Sequence, residues 1–279
     1  MTKVSIIIPV YNAAGQIGDC LSSVVSQTLD DIEVILVDDR GQDGSIALAH
    51  RFVENYKGPK IFRFVEMPVN SGPGAARNLG IRSAAGDFVA FLDSDDTLAP
   101  DFCSRLYEAA VCVDADIAFG SISFDMPDGS SEIRHNPSVP GGVFEGKVKR
   151  RYLRRFKSYF TTYLYRRSML LSNGICFPDT HSAEDSCFLI CSLLSARRIA
   201  GDSRAVYHYA IHPSSTSRRR DTARWKNRLK SFRTMVSFAR EKDLYKPYRR
   251  TIRLLLLKKG YLMAAKDYMT NNLFKYWGN

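Results

Sequence analysis

Five short apolar runs punctuate the first half of the chain, and after each of the first four the apolar spacing changes to that of a helix. The runs are Val4-Ser5-Ile6-Ile7-Ile8-Pro9-Val10, Ile32 to Val37, Ile61 to Val65, Phe88 to Leu92 and Ile117 to Gly120. Between them Ile17, Leu21, Val24 and Val25 share a helical face. Asp43-Gly44-Ser45 opens a second helix through about Tyr56. Gly72-Pro73-Gly74 leads a third through Ile81, and Phe102 to Val113 forms a fourth. Strands alternating with helices at this spacing specify βαβ units, hence an α/β fold with a mostly parallel sheet flanked by helices. Crossover handedness then puts the carboxyl ends of the strands on one edge, outside which ligands of open α/β sheets bind. Pro9-Tyr11, Asp38-Asp39 and Asp93-Asp95 all fall on that edge.

The densest chemistry lies in Phe91-Leu92-Asp93-Ser94-Asp95-Asp96, where an apolar strand ends in three carboxylates within four positions. Their mutual repulsion is costly unless a cation or a hydrogen-bond network sits among them. An Asp-x-Asp pair at a strand end suits a divalent ion held against a diphosphate; the plain alternative is a solvated acidic turn. Asp95 is the first choice as metal ligand, for Mn²⁺ or Mg²⁺.

Charge divides the chain. Residues 1–145 hold 10 Lys and Arg against 21 Asp and Glu, a net −11, whereas residues 146–279 hold 30 against 8, a net +22. The acidic half suits a metal, and the basic half an anionic partner: a membrane surface, nucleic acid or a phosphorylated substrate. No secretory leader is visible and no apolar run is long enough to cross a bilayer. The six cysteines, at 20, 103, 112, 176, 187 and 191, show no paired metal-finger spacing, so reduced thiols in a cytoplasmic protein are expected.

Four segments, in order and over about residues 3–125, resemble the inverting nucleotide-sugar glycosyltransferases of family 2, which have the GT-A fold. They are Val4 to Asn12; Val37-Asp38-Asp39 with Asp43-Gly44-Ser45; Asn70-Ser71-Gly72 with Ala76-Arg77-Asn78; and Phe91 to Asp96. Ala183-Glu184-Asp185-Ser186-Cys187-Phe188 is similar to the family's later Glu-Asp motif, and Tyr207-His208-Tyr209 with Ser215 and Ser217 to its C-terminal loop. Ala210 stands where the family often has Arg, which puts that diphosphate contact in doubt; His212 and Arg218-Arg219-Arg220 are the available substitutes.

The resemblance implies a metal-dependent inverting transfer from a UDP-sugar to a hydroxyl of a glycan or lipid-linked saccharide. It points to bacterial surface polysaccharide, whether capsule, O-antigen or lipooligosaccharide. It places Pro9 and Tyr11 at the base, with Tyr11 stacking on it. It sets Asp39 at the uracil N–H, Arg77 beside the nucleotide, Asp93 near the ribose with Ser94 next to it, and His212 at the metal or diphosphate. Asp185 is then the catalytic base, because inversion is one in-line displacement that needs a positioned base and no enzyme nucleophile. Some positions have a structural alternative: Asp38 as a turn cap in place of a ligand contact, Asp95 and Asp96 as a structural turn network, Arg77 as a helix-surface cation, Asp185 as a complement to a helix dipole.

The second half is basic and aromatic. Lys147 to Lys157 carries seven cations, with Tyr152, Leu153, Phe156, Tyr159 and Phe160 interleaved or just beyond. From Asp221 onward Trp225, Leu229, Phe232, Val236 and Ala239 share a helical face, and Leu254 to Leu257 lie between Arg253 and Lys258-Lys259. Basic amphipathic helices with aromatic residues suit the surface of an anionic bilayer, here the inner face of the cytoplasmic membrane. Three parts are expected: a nucleotide-sugar-binding core (1–125), an acceptor-side part (126–220) and a basic helical region (221–279). Two other functions compete, a nucleic-acid binder using the +22 half and an inactive nucleotide-sugar scaffold. Nucleic acid is not expected as a partner, because the acidic sheet edge has no role in binding it.

Overall fold

The computed structural model describes residues 1–136, 142–180, 182–211 and 223–273. Its core is one ten-stranded sheet between helical layers, in which the longer strands pair in parallel. In chain order β1 (Val4–Val10), α1 (Ile17–Val25), β2 (Ile32–Asp38), α2 (Ser45–Asn55), β3 (Ile61–Glu66), α3 (Pro73–Ser83) and β4 (Phe88–Phe91) build the first half. Next come β5 (Thr97–Leu98), α4 (Phe102–Cys112), β6 (Ile117–Asp125), β7 (Ser131–Arg134), β8 (Gly142–Phe144), α5 (Gly146–Tyr152), β9 (Tyr163–Arg166) and α6 (Arg167–Asn173). The chain continues through α7 (Glu184–Ser195), β10 (Ile199–Ala210), α8 (Arg224–Glu241), α9 (Tyr245–Leu255) and α10 (Leu262–Leu273).

The sheet order is β3-β2-β1-β4-β9-β6-β10-β5, with β7 on β6 and β8 on β10. β3, β2, β1 and β4 are mutually parallel, as are β6 and β10, while the short β9 lies antiparallel between β4 and β6. The chain walks outward from β1 to β3 and then returns to put β4 on the other side of β1. That reversal makes a topological switch point, the place where an open α/β sheet has a crevice.

Alternation along each strand feeds two cores. Ile7, Ile35, Val37, Val89 and Phe91 pack toward α3 and α7; Val4, Ile6, Ile8, Val34, Leu36 and Ala90 pack toward α1 and α4. Strand residues buried on both faces explain why these runs read as continuously apolar. On α3 the side facing β1 carries Gly80, where a methyl group would stand 2.3 Å from Ile7 Cγ2, so helix and strand approach as closely as glycine allows.

The basic C-terminal helices join the first of these cores. Phe232, Met235, Ala239, Ile252 and Leu255 are each 3% exposed or less and belong to the same cluster as Phe91 and Phe188. From α9 a π-helical turn, Leu256–Tyr261, continues without a break into α10. Among the described residues no helix is long and apolar enough to cross a membrane.

Candidate active site

Pro9 lies at the β1–β4 switch point, past the end of the pairing between the two strands. Ile7 accepts the Leu92 N–H through its carbonyl at 3.0 Å, and Val10 accepts that of Asp39, so alternate residues of β1 face β4 and β2. Pro9 therefore turns its nitrogen toward β4, two residues past their last pair at Ile7 and Phe91, where no ladder bond is lost. Beyond it Tyr11 is 52% exposed on the rim.

The neighbouring loops are clamped by carboxylates. Asp38 accepts the Arg40 N–H at 2.8 Å, which is the turn-capping use of Asp. Asp39 is 2% exposed, and its two oxygens accept the Ser71 and Gly72 N–H groups at 2.8 and 2.9 Å. It thus ties the end of β2 to the loop before α3, where Gly72 has a φ of 84° that a side chain rarely adopts. A carboxylate has about four lone-pair sites, so two further N–H donors can be accommodated.

The three acids after β4 separate by environment. Asp93 is half-buried and holds Arg77 Nη2 at 2.6 Å through Oδ1. Asp96 is 1% exposed; its Oδ2 accepts the Tyr207 hydroxyl at 2.6 Å and its Oδ1 the Ala210 N–H at 2.9 Å. Tyr207 in turn accepts the Asp93 N–H at 3.2 Å. Burial and then the Asp93 charge push the Asp96 carboxyl up to about 8, against the Tyr207 bond. Asp96 is thus the structural member and Asp95 the exposed one, with Ser94 half-exposed between them.

Arg77 corrects the surface-cation alternative. It is 6% exposed, its guanidinium lying 4.7 Å from the Phe160 ring and 5.4 Å from that of Phe177. Its Nε is buried without a partner among the described residues. Asn78 holds Phe177 in place, donating to its carbonyl at 2.9 Å and accepting its N–H at 2.8 Å. Phe177 stacks on Phe188 of α7 at 4.0 Å.

Those contacts draw the first turn of α7 to the first turn of α3. A methyl on Gly74 would stand 3.4 Å from Phe177 Cβ and 3.7 Å from Glu184 Cγ. Asp185, second in α7, accepts the Ser186 N–H at 2.6 Å. Burial raises its carboxyl above the usual aspartate range, and the Ser186 N–H and the charges of Arg77 and Arg228 oppose the rise. The loop before it is fastened by α8, where Ser231 Oγ donates to the Ser182 carbonyl at 2.7 Å and Lys230 Nζ to that of Asp179 at 3.0 Å.

The fold therefore brings Pro9, Tyr11, Arg77, Asp93, Ser94 and Asp95 to one edge, with Asp39 behind it and Asp185 beside Arg77. His212 lies outside the described residues, as do Arg218, Arg219 and Arg220. His208 pairs with Asp125 at 2.9 Å on β10. Sequence reasoning set Phe160 in the basic, aromatic second half rather than at this site and missed Phe177; both stand far from Arg77 along the chain and carry no local signal of that contact. It also missed Lys259 of the π-helical turn, whose Nζ donates to Ser158 Oγ at 2.5 Å and lies 4.7 Å over the Phe156 ring.

No group of three or more His, Cys, Asp or Glu able to hold a metal occurs among the described residues. A small divalent ion beside a diphosphate needs only one or two protein carboxylates, the phosphates and water completing its shell. An exposed Asp95, two residues from the half-buried Asp93, fits that demand.

Comparison with known proteins gives the family and the fold. The model of Glycosyl transferase family 2 matches residues 5–176. The chain belongs to that family and is a glycosyltransferase. It is 28% identical over 276 residues to EpsH of Bacillus subtilis (strain 168), a glycosyltransferase by name, covering 96% of this chain and 78% of that one. It is 34% identical over 217 residues to the poly(ribitol-phosphate) beta-glucosyltransferase of Bacillus spizizenii, covering 75% of this chain but 32% of that longer protein. Among solved structures, S. aureus TarS 1–349 in complex with UDP-GlcNAc superposes with a TM-score of 0.75 at 21% identity, covering 97% of this chain and 79% of that one. The fold is thus that of a GT-A glycosyltransferase.

Proposed function

We propose that this enzyme transfers a sugar from a UDP-sugar to a hydroxyl of a glycan or lipid-linked acceptor, with inversion, in bacterial surface-polymer synthesis. The observation that carries this reading is the buried Arg77, which pairs with Asp93 on the nucleotide edge and whose charge reaches Asp185. Relatives named for poly(ribitol-phosphate) acceptors and a neighbour binding UDP-GlcNAc support a UDP-sugar donor and a polymer acceptor.

Tyr11 covers the base, Asp39 receives its N–H, and Asp93 with Ser94 holds the ribose. Asp95 would hold Mn²⁺ or Mg²⁺, which when bound offsets the charge of the leaving diphosphate; His212 is the further proposed ligand. Asp185 accepts the proton of the acceptor hydroxyl while its oxygen attacks the anomeric carbon, and the bond from that carbon to the diphosphate oxygen breaks. A carboxylate held above its usual range by burial is a stronger base than an exposed one, which suits it to an alcohol proton. The excess cations of the second half support work at an anionic membrane surface.

The test is thermal-shift screening of UDP-, GDP-, CDP- and dTDP-sugars with and without Mn²⁺. UDP-sugar with Mn²⁺ should stabilise most, and Asp95→Ala should remove the metal-dependent part. Asp185→Asn should keep the shift and lose transfer to acceptor. Equal shifts from all four nucleotides, or transfer surviving Asp185→Asn, would overturn the assignment.

A further inference from the structure

A second site lies away from the sheet edge, between α5 and the start of α9. A cleft of about 390 Å³ is lined there by Arg150, Arg154, Lys246, Tyr248, Arg249 and Arg250, and no carboxylate lines it. Several other cations of this chain are paired with carboxylates: Arg166 with Asp114, Arg197 with Asp116, Arg204 with Asp202, Arg228 with Asp267. None of the five cleft cations has a carboxylate partner among the described residues. Like charges three and four positions apart on a helix repel, as Lys246 does with Arg249 and Arg250, so the arrangement is unfavourable until an anion enters.

The cleft has a fixed wall. Lys149 is 2% exposed; its Nζ donates to the Leu194 carbonyl at 3.0 Å and to that of Ala196, at the C-terminal end of α7. The same ammonium lies 5.1 Å from the ring of Tyr248, and the Arg150 guanidinium 5.8 Å from it. The cleft is therefore anchored to the end of α7 opposite Asp185, about 17 Å away at 1.5 Å per residue.

The remainder of the same helical rod indicates the occupant. No acidic residue occurs from Leu244 to Lys266. Past the cleft the rod exposes Leu257, Tyr261, Leu262, Tyr268 and Met269, each 49% or more accessible. A soluble anionic polymer would call for the cations alone, whereas a lipid surface accounts for cations and an adjoining apolar, aromatic stretch together.

We propose that this cleft seats the phosphate of an anionic membrane phospholipid, and that the exposed apolar and aromatic side chains between Leu257 and Met269 enter the interface beside it. The proposal deepens the reading of work at a membrane surface and rests on it. Docking there would hold Asp185 about 17 Å of helix from the headgroup layer, within reach of a lipid-linked acceptor.

The experiment is co-sedimentation of the full chain with vesicles of phosphatidylcholine containing one quarter phosphatidylglycerol, or of phosphatidylcholine alone, at 50 and 500 mM salt. Each basic residue near an anionic surface contributes roughly fivefold in partitioning. Arg249→Glu with Arg250→Glu should lower retention on the anionic vesicles at least about tenfold. The same charge change on the α2 and α3 surfaces, Arg51→Glu with Arg82→Glu, should lower it no more than about threefold. Leu257→Ser with Tyr261→Ser should abolish what remains bound at 500 mM salt.

No binding by the wild-type chain would overturn the membrane reading and the cleft together. Equal loss from both charge-reversal pairs would overturn the cleft alone. Release of bound protein by millimolar sn-glycerol 3-phosphate at constant ionic strength would support a phosphate site. Protection of the protein by that soluble probe, without any vesicle binding, would assign the cleft to a soluble phosphate and overturn the lipid.

Discussion

Asp93, Asp95 and Asp96 share one turn, yet their surroundings give them different tasks. Asp93 meets a guanidinium, Asp96 a tyrosine hydroxyl and a backbone N–H, and Asp95 faces outward. Asp185 differs again, since burial raises its carboxyl while Arg77 and Arg228 restrain the rise. As the proposed base, Asp185 must be ionised to accept a proton, so transfer should fail as pH falls through its raised value. The acid limb of the kcat profile should therefore lie above the ordinary aspartate value of about 3.9. Arg228→Gln removes a restraining cation and should move that limb to still higher pH, with the fold checked by circular dichroism. A limb that stays put would separate Arg228 from the base.

At the scale of elements, helix ends do the positioning. The first turns of α3 and α7 converge on Arg77 and Asp185, while the far end of α7 is capped by Lys149. Burial lowers the Lys149 ammonium to about 8. Between that value and the unfolded one of about 10.4 the unfolded chain binds more protons, so stability rises with pH across this window. Below pH 8 the residue is charged in both states and its burial costs up to about 3 kcal/mol relative to the deprotonated form. Urea unfolding at pH 7.5 and 10 should show this rise in the wild-type chain and not in Lys149→Met. Parallel pH dependences would rule the effect out.

Across the whole molecule, the C-terminal helices are part of the catalytic unit. Phe232 lies in the core shared with Phe188 and packs against the π-helical turn, where a methyl on Gly260 would stand 3.4 Å from its Cγ. Ser231 beside it holds the loop that leads to Asp185. Phe232→Ala should cost about 3–5 kcal/mol and lower the melting temperature by several degrees per kcal/mol lost. Because the lost contact supports the Asp185 loop, protease cleavage near residues 178–183 should also become faster. Unchanged melting and cleavage would show α8 to be a detachable appendage.

Much of this was legible in the chain itself, for physical reasons. Strands buried on both faces are mostly apolar, with Ser5 and Glu33 the buried polar residues of β1 and β2, so β1, β2 and β4 stand out within a residue or two of their ends. A turn that gathers acids at a strand end does so by local sequence, so Asp93 and Asp95 could be singled out there. The partners that sort those acids could not, because Arg77, Phe160, Phe177 and Tyr207 meet through tertiary contacts over tens of residues. Sequence alone determined the alternation of strand and helix and the acidic edge, both of which arise from short-range periodicity. Only the tertiary structure decided that Arg77 is buried, that Asp39 is enclosed by backbone donors and that the basic helices share the catalytic core. Burial depends on what the rest of the chain packs against a residue, and no local pattern encodes that.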